Sequence, residues 1–299
     1  MIRSLDPSNL STLELQSWLQ HGIAPRPICF VSTISAAGQI NLSPFSFFNL
    51  FSTNPPICIF SPARRVRDNT IKHSLENVRE VPEAVINIVN YAMVQQTSLA
   101  STEYPRGVNE FGKAGLTMEP SVLVTPPRVQ ESPMQLECLI REIKPLGTGP
   151  GAGNLVFAEV VKIHVREEVL NDQGQIDQAK LDLVARLGAN WYCRITADNL
   201  FEVEKPLRTM GIGVDSLPAE ARLSAVLTGN ELGRLGNMEA VPTEKQLAEL
   251  MILPEIIAIF NAGLQTQACY RALHLLARKY IRENNIEKAL SILWLQPPT

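Results

Sequence analysis

Between Pro27 and Glu167 the chain repeatedly gathers short runs of β-branched and aliphatic residues, whereas from about Pro218 onward its apolar residues follow a helical period. That change of period constrains the fold more than any other feature. "PICFVSTIS" (27–35), "PPICIFSP" (55–62) and "AVINIVN" (84–90) read as strands, and Val85, Ile86, Ile88 and Val89 mark the last as buried. "SPMQLECLIREI" (132–143) and "NLVFAEVVKIHVRE" (154–167) read as two longer strands, joined by the hairpin loop "GTGPGAG" (147–153). "AAGQ", around Gly38, predicts a turn after the first strand. Helices are expected at 9–20, with Asn9 or Ser11 as N-cap, at 71–80, at 91–102, and at 178–188, closed by Gly188. In the last third, 264–284 repeats apolar residues at i, i+3, i+4 and i+7, and 285–295 continues the pattern. The expected organisation is a β-rich domain over residues 1–205, with six or more strands and interposed helices, followed by a helical region over 206–299.

One segment resists this scheme. Taken as a strand, "NLSPFSFFN" (41–49) mixes aromatic, hydroxyl and amide side chains on both faces. It reads either as a core strand with satisfied polar groups or as one wall of a ligand pocket, where apolar sides meet a few placed polar groups.

Composition narrows the function. The formal net charge of −3 argues against a general nucleic-acid or membrane-surface binder. Five scattered cysteines without a CxxC predict reduced thiols in a cytoplasmic protein. The residues after Met1 lack a secretory apolar core, and "MILPEIIAIF" is too short to span a bilayer and carries Glu255. There is no GxxxxGK[ST] loop, HExxH or GxSxG, and the four histidines lack metal-ligand spacing. "GTGPGAG" departs from GxGxxG at Ala152 and precedes a strand rather than a helix.

Positive charge beside hydroxyls remains. "SPARRVRDNTIKHS" (61–74) carries Arg64, Arg65, Arg67 and Lys72 among Ser61, Asn69, Thr70 and Ser74, and it leaves a strand to enter a helix. Guanidinium forks, hydroxyls and a helix N-terminus together suit one phosphate group. The alternative is a solvated loop.

In their order, "PRPICFVSTIS", "NLSPFSFFN", "NPPICIFSPARR", "KHSLENV" and "AVINIVN" resemble the flavin reductase-like domain, as do the later "NEFGKAGLTMEPS", "ESPMQLEC", "FAEVVKIHV" and "ARLGANWY". The resemblance spans roughly residues 20–200. It implies an FMN-binding split barrel, a mostly antiparallel six-stranded β-barrel with flanking helices. It also implies non-covalent FMN and a homodimer with flavin near the subunit interface. It assigns ring contacts to Ser46, Phe47, Phe48 and Asn49, and phosphate contacts to Ser61 and Arg64. The family's Lys-Asp-Thr motif appears here as Lys72, His73 and Ser74, followed by Asn77, so position 73 departs from the pattern. Arg67, Asn69 and Thr70 join the cofactor candidates from the basic segment, and His164 is a candidate for the substrate pocket. The tail resembles an extension found in some longer members.

The expected activity is NAD(P)H-dependent flavin reduction, with hydride passing from nicotinamide to flavin N5 and onward to a partner oxygenase or another acceptor. Because fold does not fix function, two alternatives stand beside it. One is an FMN-dependent oxidase of a small organic substrate, and the other is a non-enzymatic FMN electron carrier.

Overall fold

A computed structural model of the chain describes residues 1–298. Two compact units result, Met1–Phe201 and Glu202–Thr299, dividing four residues before the expected boundary.

The first unit is built on seven strands: β1 (Cys29–Ile34), β2 (Ile40–Phe45), β3 (Phe48–Thr53), β4 (Pro56–Phe60), β5 (Glu83–Ile88), β6 (Met134–Pro145) and β7 (Asn154–Val165). They form one sheet in the order β2-β1-β5-β6-β7-β4-β3, and every neighbouring pair is antiparallel. The outermost strands, β2 and β3, are consecutive in sequence, and only Ser46 and Phe47 separate them. Laid flat, seven strands at about 4.8 Å spacing would hold their outer members about 29 Å apart. A two-residue link reaches only about 10 Å. The sheet therefore curls until its ends approach, which makes it a split barrel.

This closure explains the unsorted segment. "NLSPFSFFN" is not one strand: it ends β2, turns at Ser46 and Phe47, and begins β3 on the far edge of the sheet. Period-2 sorting fails because the two halves belong to different strands.

Alternate residues fill the barrel: Cys29 and Val31 from β1, Cys58 and Phe60 from β4, Ala84 and Ile86 from β5, and Leu136 and Cys138 from β6. The outward residues Ile28, Phe30 and Leu42 pack with Met93 and Phe111. β1 is thus buried on both faces, which accounts for its continuous apolar run. Helix α1 (Thr12–Gly22) starts at Ser11, not Asn9, through a capping box with Glu14. Helix α2 (His73–Glu80) and a helical stretch over 91–100, ending in α3 (Val94–Ala100), lie where the sequence places them.

The expected helix at 178–188 is corrected. Helix forms only over Gln178–Leu181, Asp182 turns left-handed at φ 49°, and Val184–Arg186 becomes a strand between Arg26–Pro27 and Tyr192–Arg194. Strand pairing there outweighs a helical pattern only about three turns long.

The second unit is all helix: two 4- and 8-residue helices, α4 (Ala219–Arg222) and α5 (Gly229–Gly236), then α6 (Glu244–Met251), α7 (Pro254–Asn261), α8 (Thr266–Arg282) and α9 (Ile286–Leu293). Leu235, Ile256, Leu273, Leu290 and Ile292 form its own core. No helix among the described residues is long and apolar enough to cross a membrane.

Candidate functional site

The basic segment leaves β4 and folds back before α2. Its start is tied to the barrel closure, because the Ser61 N–H donates to the Phe47 carbonyl at 2.9 Å. It is also tied to the β6–β7 loop: Arg64 N donates to Ala152 O at 2.8 Å, and Asn69 Nδ2 to Thr148 O at 3.1 Å. A Cβ on Gly153 would lie 2.7 Å from Ser61 Oγ, so glycine here lets the loop sit close without displacing that hydroxyl. Asn69 holds φ 57°, a conformation asparagine tolerates better than most residues. Arg64 braces it, donating from Nε to Asn69 Oδ1 at 2.7 Å and from Nη2 to Asn69 O at 2.5 Å.

An open cavity of about 730 Å³ lies under this loop, lined by Arg64, Arg65, Asn69, Thr70, His73 and Tyr104 among others. A narrow recess of about 70 Å³ shares Arg65, His73, Glu103 and Tyr104 with it and reaches Asn41, Ser43, Lys72 and Glu110. Arg65 is fixed by Glu103 at 3.2 Å and donates to Thr70 Oγ1 at 2.9 Å. Lys72 differs from these arginines in making no side-chain hydrogen bond among the described residues. Its ammonium lies 4.9 Å from the Phe45 ring centroid, and no carboxylate lies within 4.0 Å of it among the described residues. Burial, and then the neighbouring Arg65, push its pKa below the ordinary lysine value. Lys72 is also the N-cap of α2 and makes no side-chain capping bond, so the first N–H groups of that helix lack a side-chain acceptor.

A polar chain holds the start of α2 against β2. Ser74 Oγ donates to Asn41 Oδ1 at 2.7 Å, and Asn41 Nδ2 donates to Glu110 Oε1 at 2.7 Å. Glu110 Oε2 accepts from Leu42 N at 2.9 Å. Burial raises the Glu110 pKa despite these bonds.

The sequence candidates therefore separate. Arg64, Asn69, Thr70 and Lys72 line the connected cavities. Ser74 is fully buried and committed to Asn41, so it anchors the helix behind the cavity wall. Arg67 points outward, 74% exposed, and is spent on Asp68 and Glu103. Ser46, Phe47, Phe48 and Asn49 stand at the barrel closure, beyond Ser43 and Pro44 of the recess wall. Phe48 packs on the barrel core, Phe47 is exposed, and Asn49 Oδ1 accepts from Leu50 N at 2.8 Å. His164 lines neither cavity. Its Nε2 bonds Glu137 Oε1 at 2.6 Å, and the buried Glu137 also accepts from the N–H groups of Val122, Leu123 and Val124. That pair holds a loop.

Sequence reasoning missed Asn41, Glu103, Tyr104 and Glu110 as wall residues. "TEYP" follows a helix with nothing to mark it, and Glu110 comes from a helix sixty-nine positions from its Asn41 partner. Nothing in a single sequence signals either approach.

The donor set suits the phosphate end of a flavin nucleotide. A largely buried cation with no carboxylate within 4.0 Å among the described residues and an uncapped helix N-terminus follow β4, and Gly153 of the β6–β7 loop lies close to Ser61 at the start of the same segment.

Comparison with known proteins shows the family of the barrel. The model of the flavin reductase like domain matches residues 21–180. An uncharacterized protein of Halalkalibacterium halodurans is 34% identical over 204 residues, which cover 68% of this chain and 96% of that one. The structure of nitrilotriacetate monooxygenase component B from Bacillus cereus is 28% identical and aligns with a TM-score of 0.63, over 68% of this chain and 99% of that one. Pseudomonas fluorescens 2-nitrobenzoate 2-nitroreductase shares the fold, with a TM-score of 0.59 at 24% identity over 69% of this chain and 98% of that one. The helical unit lies outside the matched residues. By its split barrel and by this match, the chain belongs to the flavin reductase-like domain family.

Proposed function

We propose that this protein binds FMN and is an oxidoreductase that accepts hydride from NADH or NADPH. The observation that carries the reading is Lys72: a desolvated ammonium with no carboxylate within 4.0 Å among the described residues, at the N-terminus of α2 and in the cavity wall. Such a charge is costly unless an anion answers it.

In this reading Lys72 and the first N–H groups of α2 hold the phosphate, and Thr70 and Arg65 border it. Arg64 acts through Asn69, keeping the loop in its left-handed turn. The Ser74–Asn41–Glu110 chain fixes the helix start, so the phosphate donors are set before ligand arrives. Ser46, Phe47, Phe48 and Asn49 border the ring at the barrel closure. The chemistry that bound flavin supplies is hydride acceptance at N5, for which no protein acid or base is needed.

A homodimer fits the same closure. Phe47, Leu50 and Phe51 are 43%, 55% and 65% exposed, three large apolar side chains at the barrel closure. The similarity to one component of a monooxygenase supports a partner oxygenase as the acceptor of electrons. Five free thiols, four of them buried, are in keeping with a cytoplasmic setting.

The test is to load the protein with FMN and mix it anaerobically with NADH and with NADPH while following flavin absorbance. Bleaching by either supports the proposal. FMN binding without reduction points to a carrier, and failure to bind or quench FMN refutes the cofactor assignment.

A further inference from the structure

The helical unit carries a second polar cavity, unrelated to the flavin site. It measures about 440 Å³ and is lined by Glu220 of α4, by Leu223 and Ser224 that follow it, and by Tyr270, Arg271 and His274 of α8.

The hydrogen bonds fix the state of His274. A hydroxyl has two lone pairs and one proton. Ser224 Oγ accepts from Val226 N at 3.0 Å and from Leu227 N at 3.2 Å, which uses both lone pairs. Its proton therefore goes to its remaining partner, His274 Nδ1, at 2.8 Å. Nδ1 is then an acceptor, and the neutral ring carries its hydrogen on Nε2. Burial acts in the same direction, pushing the His274 pKa down.

His274 is only 5% exposed, and its Nε2 has no hydrogen-bond partner among the described residues. The Nε2–H of this largely buried ring is therefore left to whatever enters the cavity, since no protein acceptor among the described residues meets it. Arg271 lines the same cavity, and no carboxylate lies within 4.0 Å of its guanidinium among the described residues. Two unanswered donors on one helix, three residues apart, thus border one cavity. Glu220 lines it too and opposes a doubly charged anion.

We propose that this cavity is a binding site for a small monocarboxylate, whose oxygens accept from His274 Nε2–H and from Arg271. The apolar body of the ligand lies against Leu223 and the Tyr270 ring.

The test uses the full chain and follows the His274 imidazole resonances by NMR, assigned by their loss in His274→Asn. Propionate and inorganic phosphate are titrated separately at neutral pH, into the wild type and into Arg271→Met. The expected result is a saturable shift with propionate, at least tenfold weaker in Arg271→Met, with Nε2 keeping its proton throughout. Ser224→Ala should release the tautomer and weaken propionate while flavin binding stays as it is, which separates this site from the barrel. The proposal is overturned by no saturable shift with propionate, by tighter binding of phosphate, or by equal binding to Arg271→Met.

Discussion

Replacing Lys72 with Met separates the phosphate assignment from general damage. Met keeps an unbranched stem over Phe45 and removes only the ammonium. A hydrogen bond to a charged group contributes about 1.5–3 kcal/mol, which is about 10- to 150-fold in Kd. Lys72 is desolvated and makes no ion pair within 4.0 Å among the described residues, with only the more distant Glu103 favouring its charge, so most of that contribution is open to the ligand. FMN should therefore weaken by about that factor, while riboflavin, which lacks the phosphate, should change by less than about twofold. Fluorescence quenching titrations of both flavins measure the ratio. The pH dependence follows from the sign of the shift. Burial lowers the Lys72 pKa in the free protein, so its charge is lost as pH rises through that lowered value. FMN affinity should fall on the alkaline side before ordinary lysines titrate, and that fall should vanish in Lys72→Met. Equal losses for both flavins, or an unchanged FMN Kd, would refute the phosphate site.

Gly153→Ala places a methyl 2.7 Å from Ser61 Oγ, so that hydroxyl must turn from its present position, and FMN should weaken more than riboflavin in the same titration. Glu137→Gln should speed amide exchange at Val122, Leu123 and Val124 and cost about 1–3 kcal/mol locally. Burial works to raise the Glu137 pKa, but its backbone donors and His164 outweigh it and leave it lowered. The carboxylate thus stabilises the loop above the unfolded-state value, and that stability is lost as pH falls through the folded one; hydrogen exchange against pH should show the acid limb flattened in Glu137→Gln. Phe51→Glu puts a charge on the exposed β3 patch and should turn a dimer into a monomer by light scattering. A chain ending at residue 201 should still bind FMN, since the barrel has its own core; loss of flavin on truncation would show otherwise.

The sequence placed most strands and helices correctly because their patterns are local. α2 was legible from an apolar face within eight residues, and β6 and β7 from long runs of aliphatic residues beside a glycine-rich loop. The 178–188 helix was misread because Val184–Arg186 is decided by a partner strand near residue 26. The candidate site was legible as charge: Arg64, Asn69, Thr70 and Lys72 all reach the cavity. Which charges are free was not legible, since Arg67 is taken by Glu103 and Ser74 by Asn41, both more than thirty positions away.

By itself, then, the sequence determined a β-rich body, a helical tail and a basic loop entering a helix, because periodicity and composition act over one element at a time. Only the tertiary structure decided that β2 and β3 lie at opposite ends of one sheet, which turns "NLSPFSFFN" from a badly sorted strand into the closure of a barrel. It also decided that Lys72 makes no side-chain hydrogen bond or ion pair among the described residues, whereas Arg64 is committed to Asn69 and Arg67 to Glu103, and that His274 leaves Nε2–H without a protein acceptor beside a cavity. Those outcomes depend on burial and on partners distant in sequence, which no local pattern encodes.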